Sequence, residues 1–309
     1  MRVLVTGGAG FVGSHVVDLL LRQGHEVTVV DDLTTGLAEN VDAMARLLVL
    51  DIRAPLDSLM ADVRPETVIH LAAQVSVPDS LDDPWRDLSV NIGGTVNVFM
   101  AAARAGVRKV VSVSSAAVYG APEQLPLREA SRLSPLTPYG LSKLTGERYV
   151  EMLGRLLSVD YTIIRPANIF GPRQTTVGEG AVVPAFIASL LAGHDPVIQG
   201  DGEQTRDFIY VTDMADAIVR AIDRAGGETL NISSNRATSI NELWRLLARM
   251  TGWARQPVHG EARRGDIRDS VLDNTRARCS LDWQPRVKLA DGLRETVAWY
   301  RAAKANGRA

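Results

Sequence analysis

Residues 137–143 read T-P-Y-G-L-S-K, and two side chains in this stretch can hold or steer a proton, Tyr139 and Lys143. They stand four apart, a spacing that puts both on one face of a helix, one turn from each other. Upstream, V-S-V-S-S-A-A-V-Y-G (111–120) offers the hydroxyl of Ser115. Serine hydroxyl, phenol and ammonium together make a proton path. A free phenol titrates near pH ~10, too high for a base at neutral pH, and a neighbouring ammonium favours the phenolate. The chain also writes arginine almost wherever a cation is needed. Of 34 basic residues only Lys109, Lys143, Lys288 and Lys304 are lysines, so a lysine that remains is weighted toward its own chemistry. A Tyr-x-x-x-Lys pair taken alone is weak evidence, and the elements that position it decide its meaning.

Those elements alternate. Continuous apolar runs occur at 2–6 (R-V-L-V-T), 26–30 (E-V-T-V-V), 67–71 (T-V-I-H-L), 109–113 (K-V-V-S-V) and 161–165 (Y-T-I-I-R). Helical spacing lies between them, at 14–23, 91–105 and 140–157. Strands that are apolar on both faces, alternating with helices, predict an α/β Rossmann-type doubly wound parallel sheet with right-handed crossovers. Ligands of such sheets bind at the carboxyl ends of the strands, which places Ser115 at the site by topology. After about residue 167 Gly and Pro become frequent, with helical segments at 181–192, 213–225, 239–251 and 289–304. The expected organisation is a nucleotide-binding domain over 1–167, with 207–234 returning to it, and a smaller mixed α/β substrate-binding region over 168–309.

T-G-G-A-G-F-V-G (6–13) follows the first strand and opens the first helix. Gly7, Gly10 and Gly13 permit a tight turn, close approach of backbone to a pyrophosphate, and close helix–strand packing; the helix N-terminus stabilises the anion. Phe11 and Val12 lie inside the same turn. Asp31, at the end of the second strand, can accept hydrogen bonds from both adenosine ribose hydroxyls and would repel a 2′-phosphate, so NAD is expected over NADP. Asp31-Asp32 would also suit a turn or helix cap. Asp51-Ile52 could place a carboxylate near the adenine amine. Leu71, Ala72 and Ala73 are small enough beside His70 to let a cofactor pass, and His70 itself reads as structural. With a dinucleotide in place, Lys143 can also hold the nicotinamide ribose, and the charged ring adds to the pull on the Tyr139 phenol.

Bulk properties exclude other classes. The 309 residues are 46% hydrophobic with a net charge of −2, which gives no electrostatic case for nucleic acid or an anionic membrane. No apolar run approaches the roughly 20 residues of a membrane span. The single cysteine, Cys279, permits no intramolecular disulfide, and the five histidines show no metal-ligand spacing, so no metal is expected. A reducing cytoplasmic setting fits.

The motifs taken together resemble a known family, the extended short-chain dehydrogenase/reductases, in their NAD-dependent nucleotide-sugar epimerase/dehydratase group. T-G-G-A-G-F-V-G, D-D-L-T-T-G, H-L-A-A, S-S-A-A-V-Y-G, Y-G-L-S-K, R-P-A-N-I-F-G-P-R and R-D-F-I-Y-V-T-D carry the resemblance over essentially the whole length. It implies that Ser115, Tyr139 and Lys143 are catalytic, and that Thr35 and Gly36 join the cofactor site. It implies a UDP-sugar substrate, with Asn168 and Arg206 at the diphosphate and Val182, Val183, Val197 and Gln199 around the uracil. Arg263, or its neighbour Arg264, would be a second diphosphate arginine, and Asp266 a ribose-binding carboxylate. Two arginines converging on a diphosphate suit bidentate guanidinium recognition.

In the family's dehydratases and decarboxylases, acids stand one or two places after the catalytic hydroxyl residue; here both places are alanine, Ala116 and Ala117. What remains is 4-epimerisation through a 4-keto sugar, with UDP-glucose and UDP-galactose as the leading pair. Ser270, four after Asp266, falls where family members gate the sugar pocket, and its small size would admit the N-acetyl sugars. The alternatives are another nucleotide-sugar enzyme of this fold, such as a UDP-glucuronate 4-epimerase, or a non-catalytic NAD sensor. The resemblance also implies a homodimer through the helices at 92–105 and 141–157. Their apolar residues, Val96, Val98, Phe99, Met100, Leu141, Leu144, Tyr149 and Met152, serve equally for packing on their own sheet.

Overall fold

A computed structural model describes residues 1–176, 181–262 and 267–305. The apolar runs form seven parallel strands: β1 (Arg2–Thr6), β2 (Glu26–Asp31), β3 (Arg46–Val49), β4 (Thr67–His70), β5 (Lys109–Val113), β6 (Asp160–Pro166) and, far along the chain, β11 (Glu228–Ile232). Their order across the sheet is β3-β2-β1-β4-β5-β6-β11. Every pairing is parallel, with Val3 opposite Val27 on one side and Thr67 on the other. The strand order reverses between β1 and β4, the switch point at which a crevice opens.

Both faces are covered, as the unbroken apolar strands require. On one face α1 (Phe11–Arg22) and α8 (Val211–Arg220) pack together, Val16, Val17 and Leu20 meeting Met214 and Ile218 over Val5 and Ile164. On the other, α5 (Thr95–Arg104) and α6 (Pro138–Leu157) bury Val98, Phe99, Val150 and Leu153 against Leu4, Val68 and Ile163, with α2 (Asp57–Val63) beside them. The helix expected from 91 begins as a wide π-helical turn over Ser89–Gly94, preceded by α3 (Val77–Asp82) and α4 (Pro84–Leu88). A Cβ on Gly94 would lie 2.3 Å from Cδ1 of Ile52, so the helix wall is thinned where the post-β3 loop crosses it.

Beyond β6 the chain makes short pairs: β7 (Asn168–Phe170) with β10 (Phe208–Tyr210), β8 (Val197–Gln199) with β13 (Val258–Gly260), and β9 (Thr205–Arg206) with β12 (Thr238–Ser239). With α7 (Val182–Ala192), α9 (Ile240–Thr251) and α11 (Leu289–Ala305) they enclose a third core around Phe170, Phe186, Tyr210, Leu243 and Val297. A further helix, α10 (Thr275–Leu281), returns to the sheet side, its Ala277 and Leu281 joining the core under α8. Helix α8 stops at Arg220 rather than 225 and leads through a turn into β11.

Candidate active site

At the switch point the G-x-x-G-x-x-G turn closes on the segment after β4. Gly7 has φ +73°, and a Cβ on it would lie 2.6 Å from the backbone nitrogen of Ala72. A Cβ on Gly13 would lie 2.0 Å from the carbonyl oxygen of Gly7, so any side chain there forces α1 away from β1. The Thr6 hydroxyl accepts the backbone N–H groups of Leu71 and Ala72, each at 3.3 Å. It also lies 2.7 Å from Nδ1 of His70, whose Nε2 lies 3.0 Å from the Thr95 hydroxyl. Thr95 donates its own proton to the carbonyl of Asn91, so Nε2–H donates to Thr95 and Nδ1 accepts from Thr6. Burial, helped by the Lys143 charge, pushes His70 down to about 3, and the ring is a neutral strut between strand and helix.

Asp31 stands at the end of β2 with both oxygens fixed, Oδ2 accepting from the Ala9 N–H and Oδ1 from the Leu33 N–H, each at 2.9 Å. Burial raises its pKa while these N–H groups pull it back. A carboxylate oxygen has a second lone pair, so the group can still accept from a ribose. Gly36 lies behind it rather than on the cleft wall: a Cβ there would approach Asp31 Oδ1 to 2.8 Å. Asp32 is exposed and accepts from the Thr34 N–H in a local turn. Asp51 is held by Arg53 in a side-on ion pair with Nη2–Oδ2 at 2.5 Å, which keeps its carboxyl below the usual range.

The catalytic end is built from two element ends. Past β5, Ser115 is extended and its Oγ accepts from the Ala117 N–H at 3.0 Å, capping the turn Ala116–Val118. The T-P-Y-G stretch is a helix start: Thr137 caps it by accepting from the Gly140 N–H, and Pro138 occupies the first helical position. A Cβ on Gly140 would lie 2.8 Å from the carbonyl oxygen of Ala117, so glycine lets α6 seat against the Ser115 turn. Lys143 donates from Nζ to the Val113 carbonyl at 2.7 Å, which ties its ammonium to the end of β5. Ser115 and Tyr139 are both buried.

One cleft of about 290 Å³ joins the two ends. Ser115, Tyr139 and Lys143 line it, as do Gly7, Gly10, Phe11, Val12, Gly13, Asp31, Asp32, Thr35, Asp51, Ile52, Leu71, Ala72 and Ala73. The glycine turn at the N-terminus of α1, the fixed carboxylate of Asp31 and the bared backbone of Ala72 are what a dinucleotide needs, and the residues fit NAD.

The substrate end divides. Asn168 lines the cleft beside Ala167 and Ile169. Val183 points into the third core and Val182 packs against it, so neither side chain lines the cleft wall. Val197 and Gln199 lie on β8. Arg206, on β9, donates from Nη1 to the carbonyl of Thr205, and Ser270 is tied to the same carbonyl through its N–H. These four lie outside the cleft wall as well. Arg263, Arg264 and Asp266 fall outside the described residues. Sequence reasoning passed over Gln74, Ser76, Arg86, Arg173 and Gln174, all on the cleft wall, and Ser114, whose buried Oγ has no hydrogen-bond partner among the described residues. Q-V-S right after H-L-A-A and R-Q right after F-G-P were the available signals.

A fold wound about a dinucleotide crevice, with a Ser/Tyr/Lys set on its wall, defines a nicotinamide-dependent oxidoreductive enzyme. The model of the NAD dependent epimerase/dehydratase family matches residues 3–233, and the chain belongs to that family. NAD is its cofactor. A UDP-glucose 4-epimerase of Mycolicibacterium smegmatis is 46% identical, over 97% of this chain and 99% of its own. The structure of a UDP-glucose 4-epimerase with UDP-glucose from Thermotoga maritima superposes with TM-score 0.96 at 40% identity, covering 98% of this chain and all of the other. A UDP-N-acetylglucosamine 4-epimerase from Methanobrevibacter ruminantium, in complex with UDP-N-acetylmuramic acid, does so with TM-score 0.93 at 34% identity, covering 97% and 98%.

Proposed function

We propose that this protein is a nucleotide-sugar epimerase that inverts C4 of a UDP-hexose, with UDP-glucose and UDP-galactose as its leading pair. The observation that carries this reading is the placement of Ser115, Tyr139 and Lys143 on the wall of the cleft that the glycine turn opens, with Ala116 directly after Ser115 on the same wall. Tyr139 takes the proton of the sugar C4 hydroxyl. Ser115 hydrogen-bonds the same oxygen, and Lys143, anchored on the Val113 carbonyl, stabilises the phenolate. Bound NAD supplies a reversible hydride acceptor for C4. The 4-keto sugar turns over in the pocket so that C4 would take the hydride back on its other face, and Tyr139 returns the proton to the C4 oxygen. Alanine at 116 and 117 supplies no acid or base for loss of water or carbon dioxide.

The cofactor residues are those of the cleft wall from Gly7 to Ala73, with Gly36 supporting Asp31 from behind. Asn168 and Arg206, with Arg263 or Arg264, take the diphosphate, and Asp266 the ribose. Val182, Val183, Val197 and Gln199 flank the base, Val183 through its backbone. The working division is a nucleotide-binding part, 1–167 with 207–234, and a sugar-nucleotide part made of the rest of 168–309. The pairing of β11 with β6 supports it. Homodimerisation through α6 is supported by the exposed side chains of Leu141, Met152 and Leu156. A cytoplasmic setting accords with a single cysteine, Cys279. N-acetyl sugars are a second substrate class, supported by the small Ser270 and by the likeness to the UDP-N-acetylglucosamine 4-epimerase.

Purified protein mixed with UDP-galactose and followed by NMR, without added NAD, tests the reading. UDP-glucose should accumulate to equilibrium. No interconversion, together with no binding of UDP-sugars, sinks it.

A further inference from the structure

Tyr139, Lys143 and Glu147 stand at i, i+4 and i+8 on α6, so one helix face carries both reactive groups and, one turn on, a carboxylate. Glu147 is buried and forms a two-pronged ion pair with Arg165 of β6, Nε–Oε1 at 2.9 Å and Nη2–Oε2 at 2.7 Å. The exposures of the two side chains, 3% and 1%, leave no room for solvent to share the interaction. The third nitrogen of the fork, Nη1, donates to the hydroxyl of Tyr119 at 3.0 Å, and the guanidinium lies over the Tyr119 ring at 5.0 Å. Tyr119 closes the short helical turn that Ser115 caps. Its hydroxyl in turn donates to Asn231 of β11 at 2.6 Å. One guanidinium therefore joins the helix that carries Tyr139 and Lys143 to the turn that carries Ser115.

A buried ion pair is poor evidence for stability, because desolvating two charges costs about as much as their attraction returns, and apolar replacements of similar volume are often neutral. What such a pair does well is fix geometry, since the planar fork of arginine accepts only one arrangement of a carboxylate. We infer that Arg165 and Glu147 are positioning residues for the catalytic step. They set the rotation of α6 against the Ser115 turn and so the placement of the Tyr139 phenol and the Lys143 ammonium relative to the Ser115 hydroxyl. Neither residue lines the cleft, so neither touches substrate or cofactor. The inference rests on the epimerase reading above.

The test is the double variant Glu147→Met with Arg165→Met, which removes both charges and keeps the volume apolar, assayed as holoenzyme for kcat, KM, retained NAD and melting temperature. A misplacement of catalytic groups by an ångström costs on the order of 100-fold in turnover. The expected result is a folded protein that retains NAD, with KM within about threefold of the unsubstituted enzyme and kcat lowered by about 100-fold. A purely structural pair would give a normal kcat once the fold is restored. A folded double variant with kcat within about threefold of the original overturns the inference, as does a defect confined to KM. Should the double variant not fold, Glu147→Asp keeps the charge, shortens its reach and must show the same loss in kcat alone. The unsubstituted protein in the same assay separates the two claims: failure of that protein to interconvert UDP-sugars counts against the function, whereas undiminished turnover in the variants counts against positioning.

Discussion

Tyr139 owes its place to its neighbours more than to its own chemistry. Thr137 ends the chain's approach with a cap, Pro138 fixes the first helical φ, and Gly140 lets the helix end sit on the Ala117 carbonyl. All three were legible as T-P-Y-G, a helix start. What the spelling did not reveal is that the same glycine sets the distance to the Ser115 turn, because that contact crosses 23 positions of chain. Asp31 makes the same point: its position at the strand end was readable, but not that both its oxygens are pinned by the backbone of Ala9 and Leu33. At this scale the sugar gate proposed at Ser270 can be tested. Ser270→Tyr should abolish activity on UDP-GlcNAc by at least about 100-fold, a few kcal/mol of steric exclusion, while UDP-galactose turnover stays within about threefold. Equal loss on both pairs in a steady-state assay would move the gate elsewhere.

At the scale of elements, β4 carries a device that only the packed structure defines. His70 sits between Thr6 of β1 and Thr95 at the start of α5, and its proton is placed by two hydroxyls. Its pKa falls from 6.5 to about 3 on folding, so between those values the unfolded chain binds a proton that the native protein refuses. Stability therefore rises with pH through that window and is lost as pH falls from about 6.5. At about pH 5 this one residue should cost roughly 2 kcal/mol relative to neutral pH. Urea denaturation of the original protein and His70→Gln at about pH 7.5 and about pH 5 measures it; the variant should lose close to one proton of pH dependence, and identical slopes would refute the assignment. The strand H-L-A-A was evident as an apolar run with small residues, and a structural His70 was the natural reading, but its partners lie 64 and 25 positions away.

For the whole molecule, the apolar residues of α5 and α6 separate into two sets. Val98 and Phe99 are buried against the sheet, while Leu141 and Met152 are exposed, joined by Leu156 at 72% and by Leu81 and Trp85 of the preceding helices at 59% and 76%. Sequence periodicity could not assign these, since a helix packed between a sheet and a partner is apolar on both sides. Exposed apolar side chains of this size support the homodimer proposed above. The double variant Met152→Glu with Leu156→Glu should therefore shift the protein from twice the 33.4 kDa chain mass to the single mass by light scattering, with an unchanged circular dichroism spectrum. A native protein that is already monomeric would dismiss the dimer.

The sequence by itself determined the alternation of strand and helix, the glycine turn and the carboxylate at the end of β2, because each is written in residues close together whose spacing and chirality allow few conformations. Only the tertiary structure decided that β11 borders β6, that Gly94 makes way for Ile52, that Val183 belongs to a core rather than to the cleft wall, and that Arg165 links Glu147 to Tyr119. These are contacts between residues distant in the chain. No local pattern encodes them, since they arise only where packing the whole apolar surface brings the elements together.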